Sequence, residues 1–276
     1  MRSSYPGYYY ASPCPVGRCR ELRLAISKVA NAHRGATEME PLPVQQLLAP
    51  YLPHPLQEAQ TAQIYRYLDL LIRWNRRINL TAIRKPEEVV TRHFGESLFT
   101  ASRLLLSRRA GALRIVDVGS GAGFPGLAIR IYAPVAVTLI ESRQRKAAFL
   151  REAVRVLGFH DVEVFNDRAE RFVPTPERAA LIVTLRAVEK FEQAVAAAAS
   201  ILNSYGQQSR EQSYPDPGPG PKPGAGRMAL LIGSEQVHKA RELVPGVIWE
   251  PPLPIPGSYS RVLLIGTLTG NEPDSG

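Results

Sequence analysis

The sequence predicts an α/β fold, a mostly parallel doubly wound sheet behind a helical cap. Three observations carry that expectation. A β-branched run, Ile115, Val116 and Val118, stops at three glycines set two apart, Gly119, Gly121 and Gly123, and an apolar helical segment with Leu127, Ala128, Ile129 and Ile131 follows. Apolar runs at 135–140, 162–165, 181–185 and 228–232 alternate with helical stretches at 144–157 and 191–202, which is the rhythm of strands joined by helical crossovers. Ahead of all this, residues 56–74 carry a helical period rather than a strand period.

Residues 1–40 have no hydrophobic period and too short an apolar stretch for a signal peptide, so they are expected to be a disordered extension. Met39 is an alternative start. Both cysteines, Cys14 and Cys19, fall in this stretch, and a lone pair without further cysteine or histidine nearby gives no metal site. A core without cysteine fits a reducing cytoplasm.

The cap is expected over 41–110. Ile64, Tyr67, Leu68 and Leu71 recur at i, i+3, i+4 and i+7, with Arg66, Asp69 and Arg73 on the opposite face, so this segment is one amphipathic helix. Pro86 with Glu87 and Glu88 behind it marks the start of a second helix. Between and after these marks, Asn79, Thr81, Arg92 and His93 are polar groups among apolar ones, placed either to cap helices and satisfy buried backbone or to face a substrate cleft.

The sheet domain is expected over 111–270. Its first strand ends in a ligand loop, and the ligand has two readings. Gly121-Ala-Gly123-Phe-Pro-Gly126 satisfies the dinucleotide pattern literally, but there the first glycine follows the strand directly, and here Gly119 does so with Pro125 six residues later. Asp117-x-Gly119-x-Gly121-x-Gly123, with the acidic Glu141 ending the next apolar run, suits S-adenosylmethionine better. Glu141 is placed to hold both ribose hydroxyls, and Asp117 to meet the positive charge of the methionine end directly or through water. A nicotinamide or flavin dinucleotide remains the alternative.

Further along, residues 144–157 form a helix closed by Gly158, a short strand follows at 162–165, and Arg186 stands at the end of the buried run 181–185, an edge that opens into a cleft in such sheets. The alanine-rich helix 191–202 gives way at 206–226 to a segment whose Tyr-Pro-Asp-Pro-Gly-Pro-Gly-Pro-Lys-Pro-Gly core fits neither helix nor strand, an exposed flexible insertion. Residues 228–232 and 261–268 are the last strands, the final one suited to antiparallel pairing, and 271–276 is a tail.

Four motifs together resemble one family. Trp74-Asn75-x-x-x-Asn79-Leu-Thr-Ala, Arg92-His93-Phe94, Asp117-Val-Gly-Ser-Gly-Ala-Gly-Phe-Pro-Gly126 and Arg186-Ala187 are similar to the bacterial small-subunit rRNA guanine-N7 methyltransferases, also called glucose-inhibited division protein B. The resemblance implies a class I S-adenosylmethionine-dependent methyltransferase with a Rossmann-like, seven-stranded sheet, acting on N7 of a guanine in 16S rRNA, with position 527 expected. It implies S-adenosyl-L-methionine held by Asp117, Gly119, Gly121, Gly123, Phe124, Glu141, Ala169, Glu170 and Arg186, the pair Ala169 and Glu170 at the adenine end. Asn79, Arg92, His93 and Arg186 become candidates for positioning substrate. The partner implied is 16S rRNA, in the small ribosomal subunit or its assembly intermediate, with no metal, no membrane and a monomeric, cytoplasmic protein. Relatives usually carry lysine where Ile232 stands and serine where Leu185 stands, so a contact made by that lysine is lost or supplied by another base.

Chemistry and charge agree with an RNA substrate. Guanine N7 offers an in-plane lone pair and no proton, so no catalytic dyad is expected. The net charge of +9 points to an anionic partner, and no run of about 18 apolar residues is present for a membrane span. Arg76, Arg77, Arg84, Arg92, Arg143, Arg145 and Lys146 are candidates for the RNA-facing surface. Two other classes stay open: a methyltransferase for another RNA or a small molecule, and a cofactor-binding module that regulates without turnover.

Overall fold

The computed structural model describes residues 42–105, 113–174, 180–186, 190–211 and 226–268. The extension over 1–40 with its two cysteines, Ala187, residues 212–225 of the insertion and the tail lie outside the described residues.

The cap consists of α1 (Val44–Leu48), a 3-10 turn (Ala49–Tyr51), α2 (Glu58–Asn75), and a helical segment in three parts: α3 (Pro86–Glu88), a π-helical stretch (Val89–Gly95) and α4 (Glu96–Leu105). Then follow β1 (Leu113–Val118), α5 (Gly126–Tyr132), β2 (Ala136–Ile140), α6 (Gln144–Leu157), β3 (Val162–Phe165), β4 (Ala180–Arg186), α7 (Phe191–Glu211), β5 (Arg227–Gly233), α8 (Val237–Leu243), β6 (Val247–Trp249), β7 (Leu253–Pro254) and β8 (Arg261–Leu268).

The sheet runs in the order β3-β2-β1-β4-β5-β8-β6, with the two-residue β7 paired to β8 off that path. β1 lies parallel between β2 and β4, in register Asp117↔Leu139 and Asp117↔Thr184. β8 enters antiparallel to β5, pairing Gly233↔Arg261. Seven strands in this order, with one antiparallel strand inserted next to the edge, match the seven-stranded, mostly parallel sheet that the resemblance implies. Because β1, β2, β4 and β5 point one way and β8 the other, the carboxyl ends of the first four and the start of β8 share one edge. At that edge, chain order reverses between β1 and β4, the switch point where doubly wound sheets take ligands.

The apolar residues explain the layering. Ile115 faces the cluster with the cap, α5 and α6, while Val116 and Val118 face the second cluster with α7, as alternation along a two-sided strand requires. In α2 the four residues of the predicted stripe, Ile64, Tyr67, Leu68 and Leu71, are all buried. This helix docks twice. Trp74 meets Phe149 of α6 edge-on at 5.7 Å, and Gln60 Nε2 donates to the carbonyls of Tyr132 at 2.8 Å and Ile131 at 3.1 Å, satisfying carbonyls that the end of α5 leaves without intrahelical partners.

Several expectations need correction. The second cap helix is interrupted by the π-helical stretch over Val89–Gly95, which the Pro86 signal did not foretell. Helix α7 runs on to Glu211, through Gly206, so the insertion begins later than 206. One interior glycine costs a helix only about 1 kcal/mol against alanine, and the glutamines, arginine and glutamate beyond it tolerate helix well. Strands β6 and β7 and helix α8 lie in stretches too short or too proline-rich to carry a period. Leu185 and Ile232 are both buried in the second cluster, so neither presents its side chain to the ligand edge.

Candidate functional site

The site is built at the carboxyl ends of β1 and β2. After Val118 the chain turns through Gly119, Gly121 and Gly123, all at positive φ. The loop is tied on both sides: Ser120 N–H donates to the Ile140 carbonyl at 3.0 Å, Ser120 Oγ to the Asp117 carbonyl at 2.8 Å, and Gly123 N–H to the Ser120 carbonyl at 2.7 Å. Two of the glycines have different reasons. A Cβ at Gly123 would fall on the Tyr67 hydroxyl and the Leu127 side chain, whereas one at Gly121 would meet nothing closer than the Gly119 carbonyl at 3.7 Å. Gly123 is required by packing beneath the loop; Gly121 opens onto free space above it.

Glu141 borders that space. It is buried, and its two carboxylate oxygens each accept one backbone N–H, Oε2 from Gly121 at 3.0 Å and Oε1 from Arg143 at 2.8 Å. A carboxylate has about four lone-pair sites, so each oxygen keeps capacity for a hydroxyl and the pair matches a vicinal diol. Its backbone is held as well, the N–H by the Phe165 carbonyl and the carbonyl by Asn166 Nδ2 at 2.8 Å. Ala169 and Glu170 lie beyond, in a short 3-10 turn after β3, with Ala169 half-buried and Glu170 exposed.

Asp117 lies underneath. It is 1% exposed, Oδ1 accepts from Thr184 Oγ at 2.8 Å and Oδ2 from the Gly126 N–H at 3.2 Å. Burial raises its carboxyl to about 6, against the opposing pull of these hydrogen bonds. With the carboxylate closed to solvent and braced by these two bonds, its action on a ligand's positive charge runs through the field and through the loop it holds. The arrangement also discriminates between ligands. The first N–H of α5, the group a pyrophosphate would use, already holds a buried carboxylate.

Phe124 keeps its side chain away from the ligand space. Its ring is buried between cap and loop, stacked on Tyr67 at 5.2 Å and on His93 at 5.0 Å and edge-on to Phe94 at 5.0 Å, so only its backbone is left for a ligand. Tyr67 completes the joint by donating its hydroxyl to the Ala122 carbonyl. Aromatic pairs of this kind add about 0.5–1.5 kcal/mol each beyond buried area, and this group fixes the cap to the glycine loop.

His93 is 7% exposed, and its Nε2 lies 2.7 Å from Thr81 Oγ. Thr81 Oγ also accepts the Ile83 N–H at 3.1 Å, while the other ring nitrogen, Nδ1, is a buried atom without a hydrogen-bond partner among the described residues. Burial first, and then Arg186, Arg92 and Arg261, lower this histidine to about 3. It is neutral at physiological pH and unsuited to carry a proton.

Arg186 is gripped by the protein rather than offered outward. Its guanidinium binds Glu96 Oε2 through Nε at 3.2 Å and Nη2 at 3.0 Å, and Nη2 also donates to the Arg92 carbonyl at 2.7 Å. Arg261 joins the same Glu96 oxygen at 3.1 Å. Arg92, His93 and Arg186 thus form one neighbourhood, whereas Asn79 stands apart, exposed, with Oδ1 accepting from Arg84 at 3.2 Å. Asn75 closes the intervening loop by accepting from the N–H groups of Leu80 and Thr81 and donating to the Thr81 carbonyl. Of the proposed RNA-facing residues, Arg76, Arg77, Arg84, Arg92, Arg143 and Arg145 are exposed and Lys146 is half-buried. Glu96, Thr184 and Arg261 carry no signal of this role in the sequence, and Tyr67 only that of a member of the apolar helical stripe. Among the described residues no cluster of three or more His, Cys, Asp or Glu has the spacing to hold a metal, and no helix is long and apolar enough to cross a membrane.

Comparison with known proteins adds an independent line. The family profile described as rRNA small subunit methyltransferase G matches residues 60–209. Relatives named ribosomal RNA small subunit methyltransferase G include one from Solibacter usitatus, 42% identical over 153 residues covering 55% of this chain and 69% of that one. Another, from Roseiflexus castenholzii, is 46% identical over 136 residues covering 48% and 56%, and one from Xylella fastidiosa is 47% identical over 116 residues covering 42% and 52%. The chain thus spans about half to two thirds of the length of these relatives.

Proposed function

The chain belongs to the rRNA small subunit methyltransferase G family, and from that premise we propose that it methylates N7 of a guanine in 16S rRNA, using S-adenosylmethionine. The observation that carries the cofactor is Glu141, a buried carboxylate whose oxygens each hold one backbone N–H and keep room for one ribose hydroxyl, directly beside the open face of Gly121. S-adenosylmethionine supplies a methyl group activated on a sulfonium. The glycine loop lets it approach the backbone closely, Ala169 and Glu170 border its adenine end, and the ionised Asp117 beneath the loop favours a cationic ligand over a pyrophosphate.

The residues support a reaction in which alignment and exclusion of water do the work. N7 carries no proton to remove, and His93, stacked on Phe124 of the loop, is kept neutral. Arg186, bound to Glu96 and the Arg92 carbonyl, holds the cap against the end of β4 and thereby shapes one wall for the base. N7 is buried in the deep groove of A-form RNA, so the target must be unpaired or splayed out, and the exposed arginines of the cap and of the 143–146 segment are placed for phosphates. The same reading takes the protein as a cytoplasmic monomer acting on naked 16S rRNA or on an assembling small subunit.

The test is transfer of a labelled methyl group to deproteinised 16S rRNA and to 30S subunits lacking the modification, with the site mapped by cleavage at 7-methylguanine. Label at one guanine is the expected result, and the better acceptor identifies the substrate state. No label on either, with cofactor still bound, would transfer the assignment to another RNA or to a regulatory cofactor-binding role.

A further inference from the structure

Tyr259 is the one aromatic among the large hydrophobic residues that stand exposed in the described residues, and its relative exposure of 110% means that none of the described residues covers the ring. Here the turn beneath it is rigid. It connects β7 to β8, Ile255 at its start is buried, Ser258 N–H donates to the Ile255 carbonyl, Ile255 N–H to the Arg261 carbonyl, and Arg261 N–H to Ser258 Oγ, all at 3.1 Å. The Ser260 carbonyl accepts from Ser234 N–H at 2.7 Å, which fastens the turn to the end of β5, and Gly257 packs toward the Tyr51 hydroxyl.

The turn also stands at the ligand edge of the sheet. β8 runs antiparallel to β5, so its first residue, Arg261, lies opposite Gly233 at the carboxyl end of β5. Two residues beyond Tyr259, Arg261 shares a Glu96 oxygen with Arg186. Arg186 and Arg261 share the one Glu96 carboxylate, and Arg186 also donates to the Arg92 carbonyl, so two guanidiniums stand against a single negative charge with a third arginine beside them and the neighbourhood is net cationic. A bare aromatic face on a fixed turn beside excess positive charge is the combination that recognises unpaired nucleotides, by stacking on the base and attraction of the phosphate.

We propose that Tyr259 is a stacking platform for an unpaired base of the RNA substrate, flanking the target guanine. The target itself must sit over the glycine loop at the end of β1, and β8 is three strands away, about 14 Å at the usual strand spacing. That distance excludes the reacting base and fits a neighbour in the same single-stranded segment. The inference rests on the RNA methyltransferase reading and names a residue that sets how that RNA is held.

Tyr259→Ala and Tyr259→Phe, compared with the full-length wild-type protein, test it. Stacking contributes roughly 5- to 150-fold in affinity per base, so Tyr259→Ala raises KM for 16S rRNA by at least about five-fold while KM for S-adenosylmethionine and the melting temperature stay unchanged. Tyr259→Phe keeps the ring and stays near wild type. Binding of a short unpaired oligoribonucleotide, followed by fluorescence anisotropy, weakens in Tyr259→Ala, and binding of duplex RNA does not. An alanine variant with wild-type KM and anisotropy overturns the stacking role and leaves the methyltransferase reading standing. Equal loss of unpaired and duplex binding overturns it in favour of a general surface contact. A wild-type protein that neither methylates nor binds RNA overturns both.

Discussion

Oε2 of Glu96, the first residue of α4, accepts two hydrogen bonds from Arg186, the last residue of β4. The bond joins cap to sheet at the ligand edge, and both side chains are largely closed to solvent, Glu96 3% and Arg186 9% exposed. The same carboxylate holds Arg261 from β8, so one negative charge organises three elements that are far apart in sequence. Replacing it by an amide, Glu96→Gln, leaves two guanidiniums in the protein without their counter-charge. Removing one partner of a buried ion pair costs about 3–5 kcal/mol, so the variant unfolds at markedly lower urea and loses transfer activity with it. A urea midpoint within error of wild type would show that Arg186 and Arg261 are held by other groups.

The glycine loop separates folding from binding. Gly123→Ala drives a methyl into the Tyr67 hydroxyl and Leu127 at φ 85°, and disrupts the joint between α2 and the loop; loss of stable fold is the expected outcome, read by thermal denaturation. Gly121→Ala has room for its methyl, so at φ 56° it costs only the left-handed backbone penalty of about 1–2 kcal/mol. Its methyl, however, stands in the ligand space. Calorimetric titration should show a folded Gly121→Ala protein with cofactor affinity reduced at least about ten-fold; unchanged affinity would place the ligand elsewhere.

The contrast between these glycines explains how much of the molecule was legible in the sequence. β1, the loop and α5 were readable because a local pattern specifies them: β-branched residues, glycines two apart, then an apolar helix. Glu141 was readable because its place at the end of the next apolar run follows from strand length. What escaped reading depends on contacts between distant segments. Glu96 looks like any acidic residue opening a helix, Tyr67 like one more apolar member of a helical stripe, and Thr184 like a β-branched strand residue. Their partners, Arg186, the Ala122 carbonyl and Asp117, lie on other elements 90, 55 and 67 residues away. The placing of the Phe124 ring escaped for the same reason. Its position in the loop motif suggested a ligand contact, but the helix that covers its ring comes from the cap.

Two buried groups set opposite pH dependences. His93 is lowered from 6.5 to about 3, so the folded state binds fewer protons than the unfolded chain; its contribution is complete above pH 6.5 and is lost as pH falls toward 3. Asp117 is raised from 3.8 to about 6, so its contribution is complete below pH 3.8 and is lost as pH rises through 6. Between about pH 4 and 6 the two oppose each other in the wild type. His93→Gln removes only the first. Its unfolding free energy should therefore gain on the wild type as pH falls from 6.5 to 4.5, by about 1.4 kcal/mol per pH unit at most. A wild-type minus variant difference that stays constant across this range would mean that His93 titrates normally.

Glu141 offers the most direct separation of the two ligand readings. S-adenosylmethionine and NAD both present a ribose diol, so loss of affinity in Glu141→Gln alone does not distinguish them; the distinction lies at α5, where the Gly126 N–H is held by Asp117 and a pyrophosphate would meet a carboxylate. A ligand that binds only the native state at a hundred times its dissociation constant stabilises the fold by about 2.7 kcal/mol, a shift of several degrees in melting temperature. S-adenosylmethionine should give that shift to the wild type and NAD none. In Glu141→Gln one oxygen becomes an amide nitrogen, which can no longer accept the Gly121 or Arg143 N–H and the ribose hydroxyl together, so the S-adenosylmethionine shift should fall at equal ligand concentration. Asp117→Asn supplies the control for the loop: with the negative charge gone from beneath α5, the preference for the sulfonium ligand over NAD should narrow. Stabilisation of the wild type by NAD, or an unaltered S-adenosylmethionine shift in Glu141→Gln, would overturn the assignment of Glu141 to the ribose of the methyl donor.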